Sequence, residues 1–211
     1  MRKIFLSITL FAICFSLKAQ DSKLIQQVNF NVGKTLSSFL YKDADGNKDE
    51  NLGFRSGNTY NLSVDLGFGL KHLLRPEIIY SELGAKSSFM DVLVDWKLNY
   101  FGFGASYLYK YIDKESIAIS PGAIIGYDYL FKGEQTIGSE RYNLNKNDAL
   151  KTWDLSLGLL LNSRFKVTDS FYLNFEYRFN IGLNQIEKKD QGEKSKNIGH
   201  KALVGLSYNF K

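Results

Sequence analysis

From Asn58 to Leu70 the chain alternates strictly. Tyr60, Leu62, Val64, Leu66, Phe68 and Leu70 share one face, and Asn61, Ser63, Asp65, Gly67 and Gly69 share the other. Period two marks a β-strand, whose successive side chains point to opposite sides of the sheet. The pattern returns from Trp153 to Leu161 and from Phe171 to Leu183, where Leu173, Phe175, Tyr177, Phe179 and Ile181 alternate with Asn174, Glu176, Arg178, Asn180 and Gly182. The second face carries full charges, not only serines. An aromatic row backed by charges does not suit the inside of a soluble sandwich. It suits a barrel whose apolar row meets lipid and whose polar row lines the lumen.

Carried along the chain, the pattern predicts eight strands near 27–40, 57–70, 73–84, 89–111, 116–131, 151–164, 170–185 and 198–210. Long polar connections at 41–56, 132–150 and 186–197 alternate with short ones around Lys71-His72, Asp113-Lys114-Glu115 and Val167-Thr168-Asp169. That asymmetry is expected of outer loops and periplasmic turns. The expected fold is all-β, an antiparallel up-and-down transmembrane β-barrel of eight strands, with ten as the alternative. One segment breaks phase. Within 89–111, Met90, Val92, Val94, Trp96, Leu98 and Tyr100 occupy even positions, whereas Phe101, Phe103, Ala105, Tyr107, Tyr109 and Tyr111 occupy odd ones. A β-bulge at Tyr100-Phe101 shifts the alternation and keeps one long strand. A tight turn there would put the 132–150 loop on the side of the short turns, so the bulge is preferred.

At the N-terminus, Arg2 and Lys3 precede an apolar run from Ile4 to Leu17, and Lys18-Ala19-Gln20 places a small residue at a cleavage point. These are the parts of a secretory signal peptide. Residues 1–19 are expected to be the leader and 20–211 the barrel domain. The run is shorter than the ~20 apolar residues of a spanning helix. Cys14, the only cysteine, follows Ile13, where a lipoprotein site would have a small residue, so neither a lipid anchor nor a mature thiol is expected. Loss of Arg2, Lys3 and Lys18 lowers 27 basic residues to 24, against 22 acidic ones. The basic balance is thus partly a targeting feature, and a nucleic-acid partner, which needs a clustered basic face, is not expected. With 2 prolines, 13 tyrosines and 16 phenylalanines, the composition is that of a folded sheet protein, not a disordered chain.

The alternation places Asp65, Arg75, Glu77, Asp91, Asp95, Lys97, Lys110, Asp128, Asp154, Glu176, Arg178 and Lys201 in the lumen. An eight-stranded barrel is just wide enough for side chains to fill, so these charges are expected to pair and block the passage. Buried charge is tolerable only when paired and hydrogen-bonded. Arg75 with Glu77, and Glu176 with Arg178, lie two residues apart on one face and are natural members of such a network. In a larger barrel the same groups would line a channel. A small pore, or an accessory of transport or secretion, is therefore the alternative to a structural or interaction role played through the outer loops.

Other chemistry is sparse. Asp43, Asp45, Asn47 and Asp49 set oxygens at alternate positions around Gly46, the pattern of a calcium loop. Lys48 stands where an EF-hand has glycine and Phe54 where it has the bidentate glutamate, so a solvated loop tip is the simpler reading. No other cofactor is expected. A lipid-A-modifying hydrolase would need His, Ser and a carboxylate in register. Of the two histidines only His200, near Ser195 and Glu193, stands at a useful height, and sequence proximity does not orient a triad. No enzyme is expected. Gly102-Phe103-Gly104 and Gly67-Phe68-Gly69 lie within strands, not at a phosphate-binding turn, and are expected to make room in a narrow lumen. Tyr107, Tyr109, Tyr111, Tyr127, Tyr129, Trp96 and Trp153 are expected to form aromatic girdles. The net basic loop from Glu187 to Lys196 would attract the anionic surface of lipopolysaccharide.

Four stretches carry a family resemblance: Leu74-Arg75-Pro76-Glu77-Ile78-Ile79-Tyr80 with Gly84, Ile119-Ser120-Pro121-Gly122 with Gly126-Tyr127, the strand from Phe175 to Leu183, and the ending Gly205-Leu206-Ser207-Tyr208-Asn209-Phe210. On these, over nearly the whole mature chain, the sequence resembles the PorT-like outer-membrane β-barrels typical of Bacteroidetes and, more distantly, the small OmpA-type barrels. The resemblance implies the fold and an outer-membrane location in a Gram-negative cell. It implies no single activity, since the family is functionally mixed and one branch serves a secretion apparatus. The ending also resembles the signal read by the barrel-assembly machinery, except that Lys211 follows the last aromatic. Expected partners are membrane lipids and lipopolysaccharide, the assembly machinery during biogenesis, and an unknown protein or ligand at the outer loops, the barrel being a monomer. A soluble periplasmic barrel carrying a ligand would require the charged face to be outside.

Overall fold

The computed structural model describes residues 24–43, 45–49, 51–89, 92–146, 149–188 and 194–210. The leader read over 1–19, together with Asp91, lies outside the described residues. Every regular element among those described is a strand: β1 (Ile25–Lys42), β2 (Gly53–Gly67), β3 (His72–Phe89), β4 (Val92–Tyr109), β5 (Ile112–Asp113), β6 (Ile117–Ile137), β7 (Glu140–Asn143), β8 (Trp153–Lys166), β9 (Phe171–Gly182) and β10 (Lys194–Asn209). Eight of the ten form a closed antiparallel ring in chain order, with β4 pairing β6 and β10 returning to β1. The short β5 and β7 pair only with β6. Closure leaves no unpaired edge in the ring, which a wall facing lipid requires.

The register fixes the tilt. Thr35 faces Gly57 of β2, but the row followed the other way, through Lys201, Arg178, Leu160, Gly122, Leu108 and Leu73, returns to β2 at Gly67. A stagger from position 57 to position 67 of one strand means that the strands are inclined to the barrel axis, as closure demands.

Alternation then sorts the side chains. Phe30, Leu62, Ile78, Phe103, Ile125, Leu159, Phe175 and Leu206 stand exposed on the outer wall. Asn29, Asn31, Asn61, Asp65, Arg75, Glu77, Asn174, Glu176 and Arg178 are buried within it. A soluble barrel would have the reverse arrangement, so the soluble alternative fails on burial. The outer wall is built for hydrocarbon.

The phase break in 89–111 has a different cause from the expected bulge. β4 is a single strand that pairs β3 without interruption from Phe89↔Val92 to His72↔Tyr109. Its even positions face inward throughout: Leu108, Ser106 and Gly102 are buried, and so are Tyr100 and Leu98. What changes is the surroundings. Below Tyr100 the outer wall is apolar and the interior holds the buried charges and amides with a small apolar cluster of Leu73, Leu108, Ile124 and Leu160; above it the strand projects past the apolar belt, the interior becomes a larger apolar cluster and the outer face carries charge. The register irregularity at this height lies in β6, where Asn99 pairs Lys132 and Tyr100 pairs Leu130, leaving Phe131 as the extra residue.

Candidate functional site

The barrel centre holds a chain of alternating charges. Arg75 donates from Nε to Asp65 Oδ1 at 2.5 Å, from Nη2 to Asp65 Oδ2 at 3.1 Å, and from Nη1 to Glu176 Oε2 at 2.5 Å. Arg178 donates to both oxygens of Glu77, at 2.5 and 2.8 Å, and from Nε to Glu176. Arg164 Nη1 lies 3.5 Å from Asp65 Oδ2. Three cations and three anions therefore alternate as Arg164, Asp65, Arg75, Glu176, Arg178 and Glu77, all with side chains no more than 5% exposed. Arg75 and Glu77 sit on β3, Glu176 and Arg178 on β9. Each strand's arginine thus reaches across the lumen to the other strand's glutamate, a reciprocal exchange that bolts opposite walls together.

An amide layer satisfies the remaining acceptors. Asn29 Nδ2 donates to Asp65 at 3.0 Å, Asn61 Nδ2 to Glu77 at 3.0 Å and Asn162 Nδ2 to Glu176 at 3.2 Å. Asn31 Nδ2 donates to Asn61 at 3.1 Å, and Ser207 Oγ to Asn29. Gly102 and Gly104 make room for this network: a Cβ on Gly102 would fall 2.0 Å from Asp128 Oδ1, and one on Gly104 2.9 Å from Glu77 Oε1. The sequence reading omitted Arg164 and the asparagines. Their signal was parity, since each shares the inward phase of its strand.

The other residues assigned to the lumen divide into three groups. Lys201 is buried and donates to Ser81 at 2.9 Å. It shares a small internal cavity with Asp128 and Asp154, which face each other across β6 and β8. Lys110 lies at the short-turn mouth, 3.5 Å from Asp113. Asp95 and Lys97 do not enter the lumen. They lie on the face of β4 opposite Trp96 and Leu98, where Asp95 accepts from Arg55 at 2.8 Å and Lys97 approaches Glu82 at 3.5 Å. They are outside because β4 keeps its parity through Tyr100.

At the long-loop end Leu83, Leu98, Tyr100, Leu130, Leu144 and Ile186 close over the charges as an apolar cluster, with Phe39, Trp96 and Leu150 against it. Trp96 is therefore not part of a girdle: its ring meets Phe39 edge-on, with centroids 6.0 Å apart. Trp153 is on the outer wall, stacked with Tyr127 at 6.2 Å. Beside the cluster opens a cavity of about 430 Å³.

The remaining candidates do not assemble. Asp43 accepts from Asn47, from backbone N at 2.7 Å and Nδ2 at 3.2 Å, and Asp49 accepts from the Asn51 N–H at 2.9 Å. Asp43 and Asn47 thus bond each other and Asp49 bonds Asn51, and among the described residues no group of three or more acidic, histidine or cysteine side chains is arranged to hold a metal ion. The Asn47 N–H holds the Asp43 carboxyl below its ordinary range. His200 sits on the outer wall, 2.6 Å from the Tyr177 hydroxyl and against Phe54 and Phe179. Ser195 faces the interior, its backbone N–H donating to Glu187, and Glu193 lies outside the described residues. His72 likewise bonds a tyrosine, Tyr107, at 2.8 Å.

No family model matches the chain. No curated protein sequence matches it significantly. Solved structures do. The outer membrane protein OprG from Pseudomonas aeruginosa is 12% identical, with 88% of this chain and 96% of OprG covered and a TM-score of 0.51. Neisserial surface protein A is 16% identical over 86% of this chain and 97% of its own, with a TM-score of 0.49. The outer membrane protease OmpT from Escherichia coli is 10% identical over 88% and 97%, with a TM-score of 0.46. The fold is that of the outer-membrane β-barrels. At these identities the likeness is one of fold, which by itself assigns no activity.

Proposed function

We infer that this is a non-enzymatic outer-membrane protein of a Gram-negative cell, a monomeric barrel closed to passage, which acts as a structural or interaction element through its outer end. The observation that carries this reading is the reciprocal exchange of Arg75 to Glu176 and Arg178 to Glu77 across the lumen. Such a network fills the centre with paired, buried side chains, as a narrow eight-stranded barrel allows, and an apolar cluster lies over it at the long-loop end. A small pore has no comparable support. A lipid-A hydrolase lacks an oriented triad, since His200 and Ser195 face opposite sides of β10.

Kinship with the PorT-like barrels rests on the sequence motifs, and membership of their secretion branch has no residue behind it. The partners fit the wall: lipid at the apolar belt, lipopolysaccharide at the net basic loop from Glu187 to Lys196, and the assembly machinery at the closing strand, where Tyr208 and Phe210 stand exposed. Unboiled and boiled outer-membrane fractions compared on SDS gels test the placement. Faster migration of the unboiled band supports a folded barrel, and recovery in the soluble periplasm would overturn it.

A further inference from the structure

Between the central chain of charges and the long-loop end lies the small cavity of about 20 Å³ that Lys201 shares with Asp128 and Asp154. It has room for about one water-sized sphere. Its charged lining is those three residues, all on the inward faces of their strands: two carboxylates against one ammonium, a net charge of −1. Asp128 and Asp154 are direct cross-strand partners, and like charges so placed repel. Lys201 directs its ammonium to Ser81 Oγ at 2.9 Å and forms an ion pair with neither. The six charges of the central chain are already matched among themselves. Three further oxygens of the lining, Asp154 Oδ1, Asn180 Oδ1 and Asn197 Oδ1, are buried and meet no donor among the described residues. Asn197 is 5% exposed, and its amide cannot turn to supply a donor, because Nδ2 already donates to Asp154 Oδ2 at 2.8 Å and to the Tyr100 hydroxyl at 3.2 Å.

We propose that the barrel holds one dehydrated sodium ion in this cavity, with the carboxylates of Asp128 and Asp154 and the amide oxygens of Asn180 and Asn197 as its ligands. A water molecule has two hydrogens for three acceptors and leaves the charge in place. A cation meets the oxygens and cancels the charge together, which is how an unpaired buried charge becomes tolerable. The charge selects a monovalent ion. A divalent ion would leave the site positive beside Lys201, and calcium takes about six to eight oxygens. The volume selects sodium over the larger potassium. The ion would tie β6, β8, β9 and β10 together above the arginine network, a structural part that the closed-barrel reading does not include.

The test is urea unfolding of the full barrel in a non-ionic detergent at neutral pH, with sodium, potassium and tetramethylammonium chlorides mixed to constant ionic strength. Stability is expected to rise with sodium. Above half-saturation each tenfold rise in sodium multiplies the folding constant about tenfold, the mass-action signature of one bound ion. Tetramethylammonium, too large for the cavity, gives no such rise. Asp154→Asn keeps an acceptor for Asn197 but removes the opposed charges, and it loses the sodium dependence. Should that chain not fold, Asp128→Asn carries the same comparison. A midpoint indifferent to the cation overturns the proposal: if it falls as the buffer is made alkaline, the two aspartates share a proton, and if it does not, water fills the cavity. Equal stabilisation by potassium overturns the assignment to sodium. Full sodium dependence in both aspartate variants places the ion elsewhere and overturns the site.

Discussion

Arg178 of β9 holds Glu77 of β3 across the lumen by two parallel N–H donors, at 2.5 and 2.8 Å. The two residues are 101 apart in sequence, so the bond joins walls that have no strand pairing in common. A planar guanidinium meeting a carboxylate two-pronged is the geometry that best repays desolvation.

Removing one partner leaves the other charged and buried. Arg178→Met is predicted to destabilise the barrel by about 3–5 kcal/mol, measured as a shift of the urea midpoint in micelles. Glu77→Leu combined with Arg178→Met should cost less than the two single changes added together. Strict additivity would mean that the pair is not coupled.

Gly84 is held by its surroundings more tightly than by its own strand. It has φ of +143°, and a Cβ there would fall 1.8 Å from the Trp96 carbonyl oxygen. The Ser37 hydroxyl also bonds both its N–H, at 2.9 Å, and its C=O, at 3.0 Å. Gly84→Ala should therefore cost about 1–3 kcal/mol, read by the same unfolding assay. Wild-type stability would contradict this packing.

The two tryptophans report opposite sides of the wall. Trp153 is 44% exposed on the apolar belt, while Trp96 packs inside the projecting end against Phe39. Brominated lipids should quench Trp153 strongly in a Trp96→Phe chain and leave Trp96 nearly unquenched in a Trp153→Phe chain. Quenching of Trp96 alone would reverse the assignment of faces.

Acid should open the first long loop late. The Asp43 carboxyl is held low by the Asn47 N–H, so the turn's stabilisation is fully present above the ordinary carboxylate range. It is lost as pH falls through the depressed value. The Asn47 amide resonance should stay in its bonded position through pH 4 and move only below the ordinary Asp range of about 3.9. Movement centred above that range would contradict the bond.

Much of this architecture was legible because a narrow barrel leaves each strand only two environments. Asp65, Arg75, Glu77, Glu176 and Arg178 were readable as inward from parity alone. The partners were not, because reciprocal pairing of β3 with β9 depends on the stagger of the ring, which no single strand reveals. Asp95 and Lys97 were misplaced for a related reason. An apolar row was equated with the lipid side, yet above Tyr100 the wall leaves the apolar belt and the row turns into core. Arg164 shares the inward parity of Asp154 in β8, and its place in the network, 3.5 Å from Asp65, again depends on the stagger of the ring.

The central claim is that paired charges and the apolar cluster above them close the barrel. Conductance of the purified protein in planar bilayers tests it directly. The account predicts a baseline without resolved channel steps at neutral pH. Stable single-channel openings that scale with protein and change size in Arg178→Met would show an open lumen and contradict it.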